Sequence, residues 1–202
     1  MWHVEMCQTP KRGDSSFMRI IAGEWRGTNI HTPKGETTRP TLSRIREALF
    51  SMIANELPGA RVLDVFAGSG SLGFEALSRG ASMCDFVDTG RDVQECLRRN
   101  VEKLHCENRA RIHLRDAASY LRSPAPSNVQ WDIILCDPPY GSKSVSGALH
   151  SITESPGLNM ETLVILQSAR KDEVLLPSST IEEIRRRDYG ETALHFFRLR
   201  RP

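Results

Sequence analysis

No run of this 202-residue sequence approaches the roughly 18 consecutive apolar residues of a membrane-spanning helix, which excludes a helical membrane protein. The first residues, MWHVEMCQTPKRGDSS, lack the apolar core of a secretory signal and read as a loose extension over residues 1–17. The five cysteines (Cys7, Cys84, Cys96, Cys106, Cys136) form no C-x-x-C pair, which argues against a zinc site and for a reduced, cytoplasmic protein. Net charge is scarce too: 27 Lys plus Arg against 25 Asp plus Glu leave +2, too little to require a polyanionic partner. Internal repeats are absent, and a 39% hydrophobic content supports one main core with a small appendage.

Charge is concentrated rather than abundant. Lys11 to Glu47 hold eight basic residues (Lys11, Arg12, Arg19, Arg26, Lys34, Arg39, Arg44, Arg46) against four acidic ones. Such an excess faces nucleic acid or is simply a solvated surface. In the same stretch MRIIAGEWRGTNI predicts two short strands around Gly23 and Gly27. After Pro40, the apolar residues Leu42, Ile45, Leu49, Met52 and Ile53 predict a helix, with Arg44 and Glu47 pointing away and Pro58-Gly59 closing it. Residues 18–58 therefore form an appendage ahead of a main domain over 59–202.

The main domain alternates. Strands are predicted over 60–66, 83–88, 111–114, 131–136 and 162–167, with helices over 71–80 and from Arg91 to His105. That alternation implies a parallel α/β sheet covered on both faces. The tail differs, because IEEIRRRDYG and ETALHFFRLR are strand-like runs separated only near Gly190, an antiparallel hairpin at the sheet's edge. SPAPSN, 123–128, is a plain loop.

DVFAGSGSLG places Gly68, Gly70 and Gly73 in a G-x-G-x-x-G between a strand and a helix, with Asp88 20 residues after Gly68. Such a loop brings a ligand close to the backbone, and the acidic residue bonds ribose hydroxyls. A tight turn would need the same glycines for geometry alone. Asp64 bears on the ligand. A carboxylate at the strand's end repels a dinucleotide pyrophosphate but suits the sulfonium and ammonium of S-adenosylmethionine; a helix-capping Asp is the plainer alternative. Asp116, in RDAASYL, reads as an N-cap that also reaches an adenine amine.

WDIILCDPPYG sets two prolines after a strand. Proline lacks an N–H and restricts its predecessor, so Asp137 and the Pro138 carbonyl become stiffly mounted acceptors. Two acceptors fit the two hydrogens of an exocyclic amine, whose lone pair they free for attack on a methyl group. Pro139 completes the rigid segment, and Tyr140 offers a face for a base to stack on, about 1–3 kcal/mol.

FAGSG, the acidic strand end, DPPY, and upstream RIIAGEWRG with RPTLSRIREALF together resemble the RsmD family of bacterial ribosomal RNA methyltransferases, from Met18 onward. The resemblance implies a Rossmann-like class I methyltransferase with a mostly parallel seven-stranded sheet. It implies transfer of a methyl group from S-adenosyl-L-methionine to the 2-amino group of one guanine of 16S ribosomal RNA, free or in the small subunit, by a cytoplasmic monomer. By position, Asp64, Phe66, Ala67, Gly68 and Gly70 would line the cofactor's amino-acid end, Asp88 its ribose, and Asp116 and Ala117 its adenine. Asp137, Pro138, Pro139 and Tyr140 would hold the target base, and Arg19, Arg26, Arg39, Arg44 and Arg46 the RNA. The family often has Glu where Asp88 stands, and an acidic residue where this chain has Gln167 and Ser168, to which no role is assigned. DPPY alone also fits methylation of adenine in DNA or of a glutamine amide in protein. A nicotinamide oxidoreductase fits only the glycine loop, and a non-catalytic RNA-binding module only the fold.

Overall fold

The computed structural model describes residues 17–33, 40–123, 130–139, 141–177 and 180–200. Residues 1–16 of the expected loose extension over 1–17, most of the 123–128 loop, Arg39 and Tyr140 lie outside them, while Phe17 opens the first strand. The chain opens with an antiparallel pair, β1 (Phe17–Arg19) and β2 (Asn29–His31), followed by α1 (Pro40–Met52). Next come β3 (Arg61–Val65), α2 (Ser71–Ser78), β4 (Met83–Asp88), α3 (Arg91–Leu104), β5 (Ala110–Leu114) and α4 (Ala117–Arg122). β6 (Ile133–Cys136), α5 (Ser142–Thr153), β7 (Leu163–Ala169), β8 (Ile181–Tyr189) and β9 (Thr192–Leu199) complete it.

The seven-stranded sheet has the order β5-β4-β3-β6-β7-β9-β8; β5 through β7 are parallel and β9 and β8 antiparallel. This is the Rossmann-like methyltransferase architecture anticipated above, with the terminal hairpin at one edge. The order reverses between β3 and β6, which is the switch point where open sheets of this kind bind ligands. Strand alternation sends Val62, Cys84 and Phe86 into one core with α1, α2 and α3, and Leu63, Val65, Val87 and Ile134 into the other with α4 and α5. Each fully buried Phe or Leu contributes about 1.5–3 kcal/mol.

Two glycines set the geometry of the first crossover. Gly70 is left-handed, φ 75, and turns the chain into α2. A Cβ on Gly73 would meet Phe86 Cε1 at 2.3 Å and Cys84 Sγ at 2.7 Å, so its absence lets α2 lie directly on β4.

The appendage is not loosely tethered. Met18, Ile20 and Ile30 of the hairpin and Ile45, Leu49 and Ile53 of α1 belong to the same core as Phe74 and Leu97. Glu75 of α2, fully buried, accepts from the Ile21 and Ala22 amides at 2.8 and 3.1 Å and from Arg79 Nε at 2.7 Å. Ser78 Oγ accepts from Trp25 N and donates to the Ala22 carbonyl. On α3, buried Asn100 accepts from His31 N at 2.7 Å and donates to His31 O and Ser69 O. Asn100 thereby joins the hairpin to the glycine loop. These buried polar groups are stable only because they are paired.

Arg46 departs from the expectation that it touches RNA. It is 5% exposed, donates from Nη2 to the Arg19 carbonyl, contacts Met18 Sδ through Nη1, and lies 3.8 Å from Glu75 Oε2. Burial lowers its pKa, opposed by Glu75. Its guanidinium is part of the joint.

Candidate active site

The C-terminal ends of β3, β4, β5 and β6 bring four acidic side chains to one edge of the sheet, each doing something different. Asp64 is 1% exposed, and its Oδ2 accepts from Gly73 N at 2.9 Å. It lies beneath the loop, holding the first turn of α2. Phe66 follows with φ 63, a left-handed conformation that costs a non-glycine residue about 1–2 kcal/mol. That strain turns the chain over the strand end and puts Phe66 in the wall of two adjoining cavities.

Asp88 anchors the loop from the next strand. Its Oδ2 accepts from Gly68 N at 3.1 Å and its Oδ1 from Gly90 N at 2.9 Å. Asp116 is the N-cap of α4: its Oδ1 accepts from Ser119 N at 2.9 Å, and that bond holds its carboxyl below the usual range. Being exposed, it also borders a cavity of about 440 Å³ with Ala117, Leu121, Pro139 and Lys143. A second cavity, about 350 Å³, is lined by Phe66, Asp88, Thr89, Asp137, Pro138 and Pro139. Phe66 and Pro139 line both, so the two form one bent trough.

Asp137 stands exposed just past β6, and Pro138 behind it is buried. Its Oδ1 accepts from Gln167 Nε2 at 2.9 Å. The sequence marked Gln167 only as a position given no role, and it did not mark Lys143; a cross-strand partner 30 residues away and a helix lining a trough have no local signal. Behind α4, Asp85 Oδ1 lies 2.8 Å from His113 Nε2, which is 3.3 Å from Tyr120 OH, and Trp131 Nε1 donates to Asp85 Oδ2. This half-buried cluster ties α4 to β4.

Other nucleophile chemistry finds no support at this edge. Cys136 adjoins Asp137 but is 1% exposed, and burial pushes its thiol well above the usual range. Ser168, His195 and Glu183 align at 3.1 and 2.7 Å, yet Ser168 is 4% and His195 1% exposed, so a substrate cannot reach them. Among the described residues, no group of three or more His, Cys, Asp or Glu is placed to hold a metal ion. No described helix is long and apolar enough to cross a membrane.

On the appendage, Arg19, Arg26 and Arg44 are exposed and line a groove of about 390 Å³ with Ser43 and Glu47.

A family model described as conserved hypothetical protein 95, the RsmD family, matches residues 18–198. The chain belongs to this family. It is 35% identical over 159 residues to ribosomal RNA small subunit methyltransferase D of Escherichia coli K12, covering 79% of this chain and 78% of that one. With the Haemophilus influenzae protein of the same name it shares 32% identity over 174 residues, 85% of this chain and 88% of the other. The solved structure of Escherichia coli yhhF superimposes with a TM-score of 0.79 at 31% identity, over 91% of this chain and 98% of that chain. The family match begins at Met18, so it includes the hairpin and α1 as well as the sheet.

Proposed function

We propose that the protein transfers a methyl group from S-adenosylmethionine to the exocyclic 2-amino group of a guanine in small-subunit ribosomal RNA. The observation that carries this reading is the placement of Asp137-Pro138-Pro139 in one cavity with Asp88, at the switch point and beside the glycine loop.

The trough fits the cofactor on its own chemistry. Asp88 offers a carboxylate to a ribose diol, Asp116 and Ala117 border an apolar recess suited to adenine, and Phe66 walls both. Ala67, Gly68 and Gly70 would bring backbone against the amino-acid end, with Asp64 shaping the loop from below. S-adenosylmethionine supplies an electrophilic methyl on a sulfonium.

The chain's own groups handle the amine. Asp137 and the Pro138 carbonyl accept its two hydrogens, which keeps the nitrogen lone pair out of the ring. Those bonds strengthen as positive charge develops on nitrogen, so they favour the transition state over the bound base. Attack would form the N–C bond as the methyl's bond to sulfur breaks, leaving a neutral thioether, and the cationic nitrogen would then lose its proton to solvent beside the exposed Asp137. Tyr140 would stack on the base, which must leave its own stack to enter. Arg19, Arg26 and Arg44 would meet phosphates, with Arg39 a further candidate. A cytoplasmic monomer acting on RNA or on a small-subunit particle completes the reading.

The test is incubation with labelled methyl donor and, in parallel, ribosomal RNA, assembling and complete small subunits from cells lacking the activity, DNA, and protein extract. Label is expected in RNA as N2-methylguanine after nucleoside digestion. Label in DNA or protein, with none in RNA, would sink the reading.

A further inference from the structure

β7 lies between β6 and β9, hydrogen-bonded on both sides. In its register with β6, Cys136 pairs with Leu166, so the next residues, Asp137 and Gln167, sit side by side at the ligand edge. Their situations differ. Asp137 has left the ladder and is exposed, whereas Gln167 is half-buried and its backbone is still paired to Leu194 of β9. The side-chain bond therefore runs from a rigid mount to a side chain on a strand end.

We infer that Gln167 is a positioning residue: its amide holds the Asp137 carboxylate in the orientation that receives the substrate amine. This rests on the proposed role of Asp137. A carboxylate only accepts, so the Gln167 side chain must present its NH₂ to Oδ1, and the 2.9 Å contact restricts rotation of the carboxylate about its last torsion. A neutral donor suits the task. It orients Asp137 without cancelling the negative charge that the developing positive nitrogen is drawn to, as an Arg or Lys would. Substitution of such an outer partner typically costs 10- to 100-fold at metal sites, where a ligand is oriented in the same way.

Other charged groups surround the pair: Asp88 across the shared cavity, Lys143 in the adjoining one, Asp64 beneath the loop, and Asp172, which accepts from Gly141 N and Ala169 N. All of them keep their identity across the Gln167 variants, and the uncharged Gln167→Leu leaves the charge around them unaltered.

The test compares native protein, Gln167→Leu, Gln167→Glu and Asp137→Ala in methyl transfer to small-subunit particles, with cofactor affinity and thermal midpoint measured alongside. Gln167→Leu is expected to lower kcat about tenfold while cofactor affinity and midpoint stay at the native values. Gln167→Glu is expected to act near the native rate while the carboxyl pair keeps one proton, which then serves as donor to Asp137. It should lose activity as pH rises through the pair's second ionisation, a limb that the native profile lacks. Native kcat in Gln167→Leu together with superimposable pH profiles would overturn the inference, provided that Asp137→Ala is inactive. Turnover by Asp137→Ala would instead remove the amine-binding role of Asp137, and the inference with it.

Discussion

The joint that fastens the appendage and the C-terminal edge of the parallel strands are both rich in polar side chains, but they spend them differently. At the joint, Glu75 and Asn100 are fully buried and bonded to backbone amides and carbonyls of other segments. At the edge, Asp116 and Asp137 are exposed, each bonded inside the protein while it lines the trough. The first kind of residue holds the fold, so its loss should be read in stability. The second is held by the fold, and its loss should be read in function.

The largest effect expected from this contrast is at Glu75. Glu75→Ala strands the Arg46 and Arg79 guanidinium groups and two amides, and should lower stability by about 3–5 kcal/mol in urea unfolding. An unchanged midpoint would break the distinction at once. Asp137→Ala should do the reverse, lowering kcat by roughly 10²–10³-fold with stability within about 0.5 kcal/mol and cofactor affinity within a few-fold. A large loss of cofactor binding would mean that its role is misassigned. Asp88→Ala should weaken cofactor binding about tenfold or more, read by calorimetry, through the loss of a charge-assisted acceptor and of the Gly68 anchor. Unchanged affinity would take it out of the site.

The smallest effect sharpens the comparison, because Asp116 belongs to both classes. As N-cap it should cost about 1 kcal/mol when replaced by Ala. Its folded pKa is depressed by the Ser119 amide, so that contribution is present above the ordinary carboxylate range and disappears as pH falls through the folded value. The stability difference between native protein and Asp116→Ala should therefore close on acidification.

The sheet was legible because buried parallel strands are short apolar runs bounded by glycine, and β4 falls on the predicted residues 83–88. The clustering of acidic residues at one edge was legible as well, since each lies within two residues of the C-terminal end of a predicted strand. Arg46 was not, because the same residue serves phosphate or a buried carboxylate, and its partners Met18 and Glu75 are distant in sequence. Asn100 lies at helical spacing from Leu97 and Leu104 on the buried face of α3, but a polar residue there does not register in an apolar pattern. Asp64 had two readings, ligand contact or cap, and only the fold shows its bond to Gly73.

Asp88 is shorter than the Glu that the resemblance leads one to expect in its place, and two amide bonds hold it. Immobilising a free, rotamer-rich side chain at a binding site costs about 0.5–1.5 kcal/mol. With Gly68 N on one oxygen and Gly90 N on the other, Asp88 has surrendered that freedom on folding. Each oxygen still has a lone pair to offer. On the proposed reading, a ribose docking there would meet an acceptor that folding has already ordered.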